Sequence, residues 1–346
     1  MATERDVIIE TFEDEILLPE ERIEKVKFNL PVSKVTKVVE GYLQSIQESG
    51  NEDDEEARAD LYSSIESFMS QSQQSGDADD FHNFAVALAK KNEMALACQV
   101  LENGLKLFPK NVDLLADYLQ YGIDCEKLDE CKKYYKSLLK IPRRRWTWRG
   151  FAFLIDYLKF LVENSDSEKE IDTKEKEMLE VVSEFKKYYP YSEETYRVEA
   201  SVYKCLNMQD EELAVLQKAL ESVEVAPKCA LRCADILFER GRYEEATEKI
   251  KRGISDATQA QKAVSEGYIY YLSALCKIAT AQKSGNIGNL SRDNVVEIYS
   301  DFDIALKDLR DSSYVEVIKT KTNTLVNKTG VEVPPEYDLL CDCIGD

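Results

Sequence analysis

The sequence has little of several residue types, and each shortage argues against a class of protein. Histidine occurs once, at His82, so a metal site with several histidines cannot be built and a catalytic triad would have to use this one residue. Glycine and proline number only 13 and 8 in 346 residues, which disfavours disordered chains and proteins made of many short strands. No apolar run reaches the roughly 18 residues of a membrane span. The amino terminus has no apolar signal core, so we expect a helical, intracellular protein outside the membrane, in the cytoplasm with the nucleus as the alternative.

The cysteines indicate the redox state of the protein. Nine cysteines are scattered singly through apolar segments, which predicts reduced, buried thiols in an intracellular protein.

The net charge of −21 is concentrated near the ends, where residues 1–80 hold 21 acidic and 7 basic residues. Residues 331–346 add five acidic residues and no basic ones. The body between them is almost neutral, so the overall charge does not exclude an acidic partner there.

A spacing of 34 residues organises the apolar and small residues of this body. Units begin at Ala78 and Val112, and again at Glu193 and Pro227. Two antiparallel helices approach closely only where a small residue faces a large one, which is the pattern found here. The clearest examples are Phe81, Phe84, Ala85, Leu88, Ala97, Leu101 and Gly104 in one unit, and Cys233, Ala234, Leu237, Ala246, Ile250 and Gly253 in another.

With these residues the chain resembles tetratricopeptide-repeat proteins. The stretch from Gly241 to Ala246, Gly-Arg-Tyr-Glu-Glu-Ala, is similar to that family's hairpin turn and the start of its second helix. The resemblance implies an all-α fold, a right-handed α-α superhelix of helix hairpins whose first helices line a concave groove. It also implies a protein-binding module that has no enzymatic activity and no cofactor.

The predicted chain organisation has three parts. Residues 1–76 are an acidic N-terminal segment with a helical cap, 77–328 are the repeat array, and 329–346 are an acidic C-terminal tail. Ser192 is expected to cap the helix that begins at Glu193. The array consists of units at about 78–111, 112–145, 146–191 with an insertion in its turn, 193–226, 227–260 and 261–310, followed by a capping helix at 312–327.

A basic segment, residues 132–149, is the strongest local anomaly. No acidic residue occurs between Glu130 and Asp156, and the only two tryptophans of the chain lie among the cations. Arginine can bind a phosphate or a carboxylate through two parallel hydrogen bonds, and aromatic rings can stack on bases. The segment can therefore contact a nucleic acid or an acidic protein. The alternative is a solvated helix face with tryptophan in the core. The candidates are Lys132, Lys136, Lys140, Arg143, Arg144, Arg145, Trp146, Trp148 and Arg149.

A second candidate surface follows from the family resemblance. It consists of the groove-facing positions of the units that begin at Glu193 and Pro227, namely Arg197, Ser201, Lys204, Lys228 and Arg232. Family members that clamp a C-terminal carboxylate use basic residues and asparagines there, whereas this chain has Ser201 and Asp235 where asparagine is expected. A groove lined with ordinary solvated charges is the alternative.

These observations favour a non-enzymatic protein–protein interaction scaffold or adaptor that binds a protein or peptide in the groove. A second hypothesis is a nucleic-acid-associated helical repeat factor, of the kind found in RNA processing, that uses residues 132–149. A third is a peptide-responsive regulator, because the layout is similar to that of bacterial peptide-sensing regulators. We predict no catalytic residue, metal ligand or cofactor.

Overall fold

The computed structural model describes residues 77–89, 93–259, 266–309, 312–337 and 339. Regular structure within these residues consists of thirteen α-helices and two short 3-10 helices, with no strand. The chain divides into two compact units between Pro190 and Tyr191. The predicted all-α fold class is confirmed, while the cap predicted in 1–76 lies outside the described residues.

Unit 1 contains six described α-helices arranged as three hairpins. They are α1 (Ala78–Ala89), α2 (Met94–Leu107), α3 (Val112–Asp124), α4 (Leu128–Leu138), α5 (Trp148–Glu163) and α6 (Glu168–Tyr188). Helix α1 packs on α2, α3 on α4, and α5 on α6, while α2 and α5 both pack against α3. The hairpins therefore stack in series within the unit, as expected for tetratricopeptide-like repeats.

The third hairpin differs from the insertion predicted in its turn. Most of the polar stretch 164–172 belongs to α6, which begins at Glu168 and runs for 21 residues. Glu168 and Glu170 lie in its first turn, where carboxylates interact favourably with the positive end of the helix dipole. The extra residues therefore lengthen the second helix, and residues 164–167 form the connection.

Unit 2 contains seven described α-helices. They are α7 (Glu193–Cys205), α8 (Gln209–Ser222), α9 (Pro227–Glu239), α10 (Tyr243–Gln259), α11 (Glu266–Lys283), α12 (Arg292–Asp308) and α13 (Ser312–Thr329). Each of α7, α9 and α11 packs on the helix that follows it, and α13 packs on α12. Beyond α13, the side chains of Val331, Val333 and Tyr337 pack against the hydrophobic core at this end of the unit. Part of the stretch predicted as an acidic tail is thus held against the fold.

The same turn joins the two helices in three of the hairpins. Its central residue has a positive φ of 56° at Glu126, 57° at Asn207 and 70° at Gly241. Each of these residues lies 14 positions after the first residue of its hairpin, at Val112, Glu193 or Pro227. The following amide closes the turn, with N–H···O distances of 2.9 Å from Lys127 to Gly122, 2.8 Å from Met208 to Tyr203 and 2.9 Å from Arg242 to Leu237. The repeat therefore extends to backbone conformation as well as to spacing.

Helix starts use side-chain caps at several positions. Asn111 accepts from the Leu114 amide at 3.0 Å, and Ser291 accepts from the Asn294 amide at 3.3 Å. Ser192 occupies the predicted cap position of α7, but its side chain makes no capping hydrogen bond, so that prediction is wrong.

Close helix contacts occur at the predicted small residues, but the space available for an added side chain differs between them. A methyl group added at Gly104 would lie 2.8 Å from Cγ of the fully buried Phe81. At Gly253, the equivalent position of the unit that begins at Pro227, the nearest atom would be Cδ2 of Leu231 at 3.4 Å. The first contact therefore excludes a side chain, whereas the second accommodates a methyl group.

This difference predicts opposite effects of the same substitution. Gly104→Ala should lower the free energy of unfolding by about 1–3 kcal/mol, because Phe81 must move in a packed core. Gly253→Ala should raise it by about 0.5–1 kcal/mol, since alanine favours helix without a clash. Urea unfolding followed by circular dichroism measures both. Equal changes in the two variants would contradict the packing described here.

Candidate partner-binding surfaces

The basic segment runs from α4 through a 3-10 turn at Arg143–Arg145 into the start of α5. Five of its nine candidate residues are exposed to solvent, namely Lys132, Lys136, Lys140, Arg144 and Arg145. The ammonium group of Lys132 lies 3.7 Å from a carboxylate oxygen of the exposed Asp129. An exposed pair at this distance contributes little energy, so the cation stays accessible.

Trp146 and Arg149 lie in the interior, contrary to the prediction that they face a partner. Trp146 is 4% exposed, and its indole nitrogen donates to the Ile141 carbonyl oxygen at 3.0 Å. The guanidinium carbon of Arg143 lies 3.8 Å from the centre of the Trp146 ring. Arg149 is 8% exposed. The core interpretation is correct for Trp146, whereas the burial of Arg149 was expected on neither interpretation.

Arg143 and Trp148 are partly buried. Nε of Arg143 lies 2.9 Å from a carboxylate oxygen of Glu184. Burial lowers the pKa of Arg143, and Glu184 opposes that effect. The Trp148 ring packs edge-on against Phe153 with 6.3 Å between ring centres. The basic segment therefore offers mainly charge, rather than an open aromatic platform.

A partly buried polar network links the first helices α1, α3 and α5 of unit 1. Nδ1 of His82 lies 2.5 Å from Oδ2 of Asp117, a residue with no exposed surface. Nη1 of Arg149 lies 3.9 Å from the other carboxylate oxygen of Asp117. In the same region the Thr147 hydroxyl donates to Asp113 at 2.5 Å. Burial raises the pKa of the Asp113 carboxyl, and the Thr147 hydrogen bond and His82 only partly oppose this.

The first-helix surface of unit 2 is the name we give to the solvent-facing side chains of α7, α9 and α11. The sequence-predicted groove residues lie on its first two helices. Lys204 is exposed, while Arg197, Ser201, Lys228 and Arg232 are partly buried. Arg197 pairs with Glu194 at 2.9 Å, and the Ser201 hydroxyl donates to the Val198 carbonyl oxygen at 2.8 Å.

Hydrogen bonds tie the three helices of this surface together. The Cys229 amide of α9 donates to Oε1 of Glu193 on α7 at 2.9 Å. The Tyr268 hydroxyl of α11 donates to Asp235 on α9 at 2.7 Å. Asp235 also lies 3.8 Å from Arg232. First helices of successive hairpins are thus bound side to side, and their polar side chains have fixed neighbours.

Tyrosines extend the first-helix surface toward the end of the unit. Tyr271 and Tyr314 meet at 5.2 Å between ring centres in an edge-to-face arrangement, and Tyr268 lies 6.2 Å from Tyr271. Neither these tyrosines nor the network around His82 was predicted from the sequence. The spacing of Tyr268 and Tyr271, three residues apart on one helix, is the signal that indicates a shared face.

The described residues contain no group of three or more histidine, cysteine, aspartate or glutamate side chains that could hold a metal ion. None of the helices described is both long enough and apolar enough to cross a membrane.

No family model and no curated protein matches the chain. Among solved structures, it is similar to TTC0263, a thermophilic TPR protein of Thermus thermophilus, with 18% identity, a TM-score of 0.43, and coverage of 53% of this chain and 92% of that one. It is also similar to Pseudomonas aeruginosa PilF, with 15% identity, a TM-score of 0.46, and coverage of 70% and 97%. Human IFIT1, as a dimer with m7Gppp-AAAA, gives 12% identity, a TM-score of 0.45, and coverage of 94% and 71%. These are likenesses of fold.

The Asp113 environment predicts a pH-dependent stability difference. A carboxyl whose folded pKa is raised stabilises the fold at low pH and loses that contribution as pH rises through the folded pKa. Asp113→Asn keeps an acceptor for Thr147 without the buried charge. Its free energy of unfolding relative to wild type should therefore increase as pH is raised from about 4, where an unfolded aspartate ionises.

Asp129→Asn is the matched control, because Asp129 is the second residue of α4 as Asp113 is of α3, but is exposed. Urea unfolding at several pH values from 4 to 7 should show no such trend for the control. If both variants showed a trend of the same size, the cause would be the position at the start of a helix and not burial.

Proposed function

We propose that this protein is a non-enzymatic scaffold or adaptor that binds a protein or peptide on the first-helix surface of unit 2. The observation that supports this most directly is the hydrogen-bonded alignment of α7, α9 and α11, through Glu193 to Cys229 and Asp235 to Tyr268. The alignment brings together, on neighbouring helices, aromatic side chains and cations that are paired with carboxylates. Rigid elements that hold such groups in place suit binding better than groups on loops.

Arg232 illustrates how this surface is preorganised. Its Nε lies 2.8 Å from Oε1 of the buried Glu212, while 31% of its side chain remains exposed. Burial alone would lower the pKa of Arg232, but the hydrogen bond to Glu212 and the charges of Glu212, Asp235 and Glu239 together raise it. A cation already held in one position loses less rotamer freedom when a partner carboxylate binds.

The tyrosines supply the apolar part of the same surface. Tyr268 and Tyr271 are both partly exposed on α11, next to the charged residues of α9. Tyrosine is enriched at protein interfaces because it offers apolar area together with a hydroxyl group. The partner that fits is a peptide or protein segment with acidic groups near α7 and α9 and an apolar or aromatic group near α11.

The thiols support a non-enzymatic, cytoplasmic assignment. The seven described cysteines are free, and Cys131, Cys229, Cys233 and Cys276 are among those that are buried. Burial raises the pKa of Cys131, Cys233 and Cys276 to about 11, so these sulfurs stay protonated and are poor nucleophiles. Free thiols are typical of a reducing compartment.

Site-specific photocrosslinking in the native cell tests the proposal. A photoreactive residue at Lys204, on α7, should give covalent adducts with one partner, whereas the same residue at Lys218, exposed on α8, should not. With the recovered partner, Lys204→Glu should weaken affinity about fivefold, corresponding to roughly 1 kcal/mol for an exposed charge pair, and Lys218→Glu should not. Adducts only from Lys218, or none from either position, would contradict the proposal.

A nucleic-acid contact through the basic segment is the second candidate. It is supported by the exposure of Lys132, Lys136, Lys140, Arg144 and Arg145 on one stretch of unit 1. If it binds, affinity for a single-stranded oligonucleotide should fall steeply with salt, since phosphate contacts release counterions. Arg144→Glu with Arg145→Glu should abolish the gel shift without lowering the melting temperature. A salt-independent shift, or no shift, would remove this candidate.

A further inference from the structure

Unit 2 also has a groove on its second helices, which the proposed function does not use. We call it the second-helix groove: α10 and α12 form its walls, and α11 forms its floor. Its volume is about 510 Å³. That size is within the range of sites that hold a small ligand or a few side chains of a partner.

The base of this groove includes an apolar area. Ala281 of α11 and Ile298 of α12 are buried in the core beneath it, and Leu290 is half-buried at one end. The hydroxyl of Ser284, also on the floor side, is already bonded to the carbonyl oxygens of Thr280 and Ala281. An occupant therefore meets an apolar surface there, with room for an aliphatic side chain.

The α10 wall carries two uncommitted carboxylates. Glu244 and Glu248 line the groove and are exposed, and neither has a hydrogen bond or ion pair among the described residues. They lie one turn apart on the same helix, a spacing at which like charges repel. Glu245, the neighbour of Glu244, is by contrast paired with Arg242 at 2.6 Å. The two α10 carboxylates without an ion pair among the described residues thus lie on the side that faces the groove, and Glu244 also gains from the helix dipole in the first turn.

The groove has fewer cations than carboxylates, and one cation, Lys251, lies on the α10 wall three residues after Glu248. Lys277 on the floor is already bound by two acids of α12, Glu297 at 2.8 Å and Asp301 at 2.7 Å. Lys251 is the one further cation that lines the groove among the described residues. Three carboxylates line the groove, those of Glu244, Glu248 and Glu297, against two ammonium groups, so the lining has a negative surplus.

We infer that the second-helix groove is a docking site for a basic peptide segment of a partner protein. An aliphatic side chain of that segment lies over Ala281 and Ile298, and flanking lysine or arginine side chains reach Glu244 and Glu248. The charge of the walls selects this occupant: the repulsion between the two carboxylates is relieved by a cation and increased by an acidic segment. Amphipathic peptide segments bind apolar grooves in this way, with their apolar side chains inside the groove.

The test uses the full chain and a fluorescein-labelled peptide, KLAKLAK amide, in an anisotropy titration at about 0.15 M salt, where long-range attraction is screened. Wild type should bind saturably. Glu244→Lys with Glu248→Lys should weaken binding at least about tenfold, as loss of two charge-assisted contacts implies. Ser284→Trp, which fills the groove without changing charge, should weaken it similarly while the melting curve is unchanged.

The matched control is Glu211→Lys with Glu316→Lys, which makes the same change in net charge at exposed positions on α8 and α13. It should alter affinity less than twofold. Equal weakening by the two double variants would show general attraction to an acidic chain and overturn the proposal. It is also overturned if wild type does not bind, or if the Glu244 and Glu248 variants bind as wild type does. None of these outcomes depends on the first-helix surface.

Discussion

The close approach of the two helices within each hairpin is the constraint on which the rest of the structure depends. At Gly104 the backbone comes so near Phe81 that no side chain fits, and at Gly122 an added methyl group would lie 2.5 Å from the Cys131 sulfur. Helices that approach this closely, joined by a turn with a fixed positive-φ residue, leave little freedom in how a hairpin forms. The hairpins with this turn therefore share one internal geometry, although α3 packs on α5, whereas in unit 2 the second helices α8 and α10 pack on α9 and α11.

The close approach of paired helices explains why the fold could be predicted from the sequence. Small and large residues recur at 34-residue intervals, and α1, α3, α7 and α9 begin at the residues where units were predicted to start. The turn at Gly241 was also predictable, because glycine favours the left-handed region. Glu126 and Asn207 adopt the same conformation without glycine, so the repeat spacing alone identifies their turns.

The candidate sites were harder to predict from the sequence, since the burial of a side chain depends on residues that are distant along the chain. The basic segment reads as one continuous surface, yet Arg143 covers Trp146 and Asp117 of another hairpin faces Arg149. The groove residues were placed on the correct helices, but their hydrogen-bonded neighbours Glu212 and Tyr268 come from α8 and α11. Local pattern gives the helix and its face, whereas the partners of a side chain follow from packing between hairpins.

Stacked hairpins give unit 2 two chemically different sides. The first helices carry cations and tyrosines, and the second helices carry a groove with surplus carboxylate. The central claim is that a partner binds the first helices. Hydrogen–deuterium exchange of the full chain with and without its captured partner tests this most directly. We predict slower exchange in α7, α9 and α11 on binding; slower exchange confined to α8 and α10, or no change in unit 2, would contradict it.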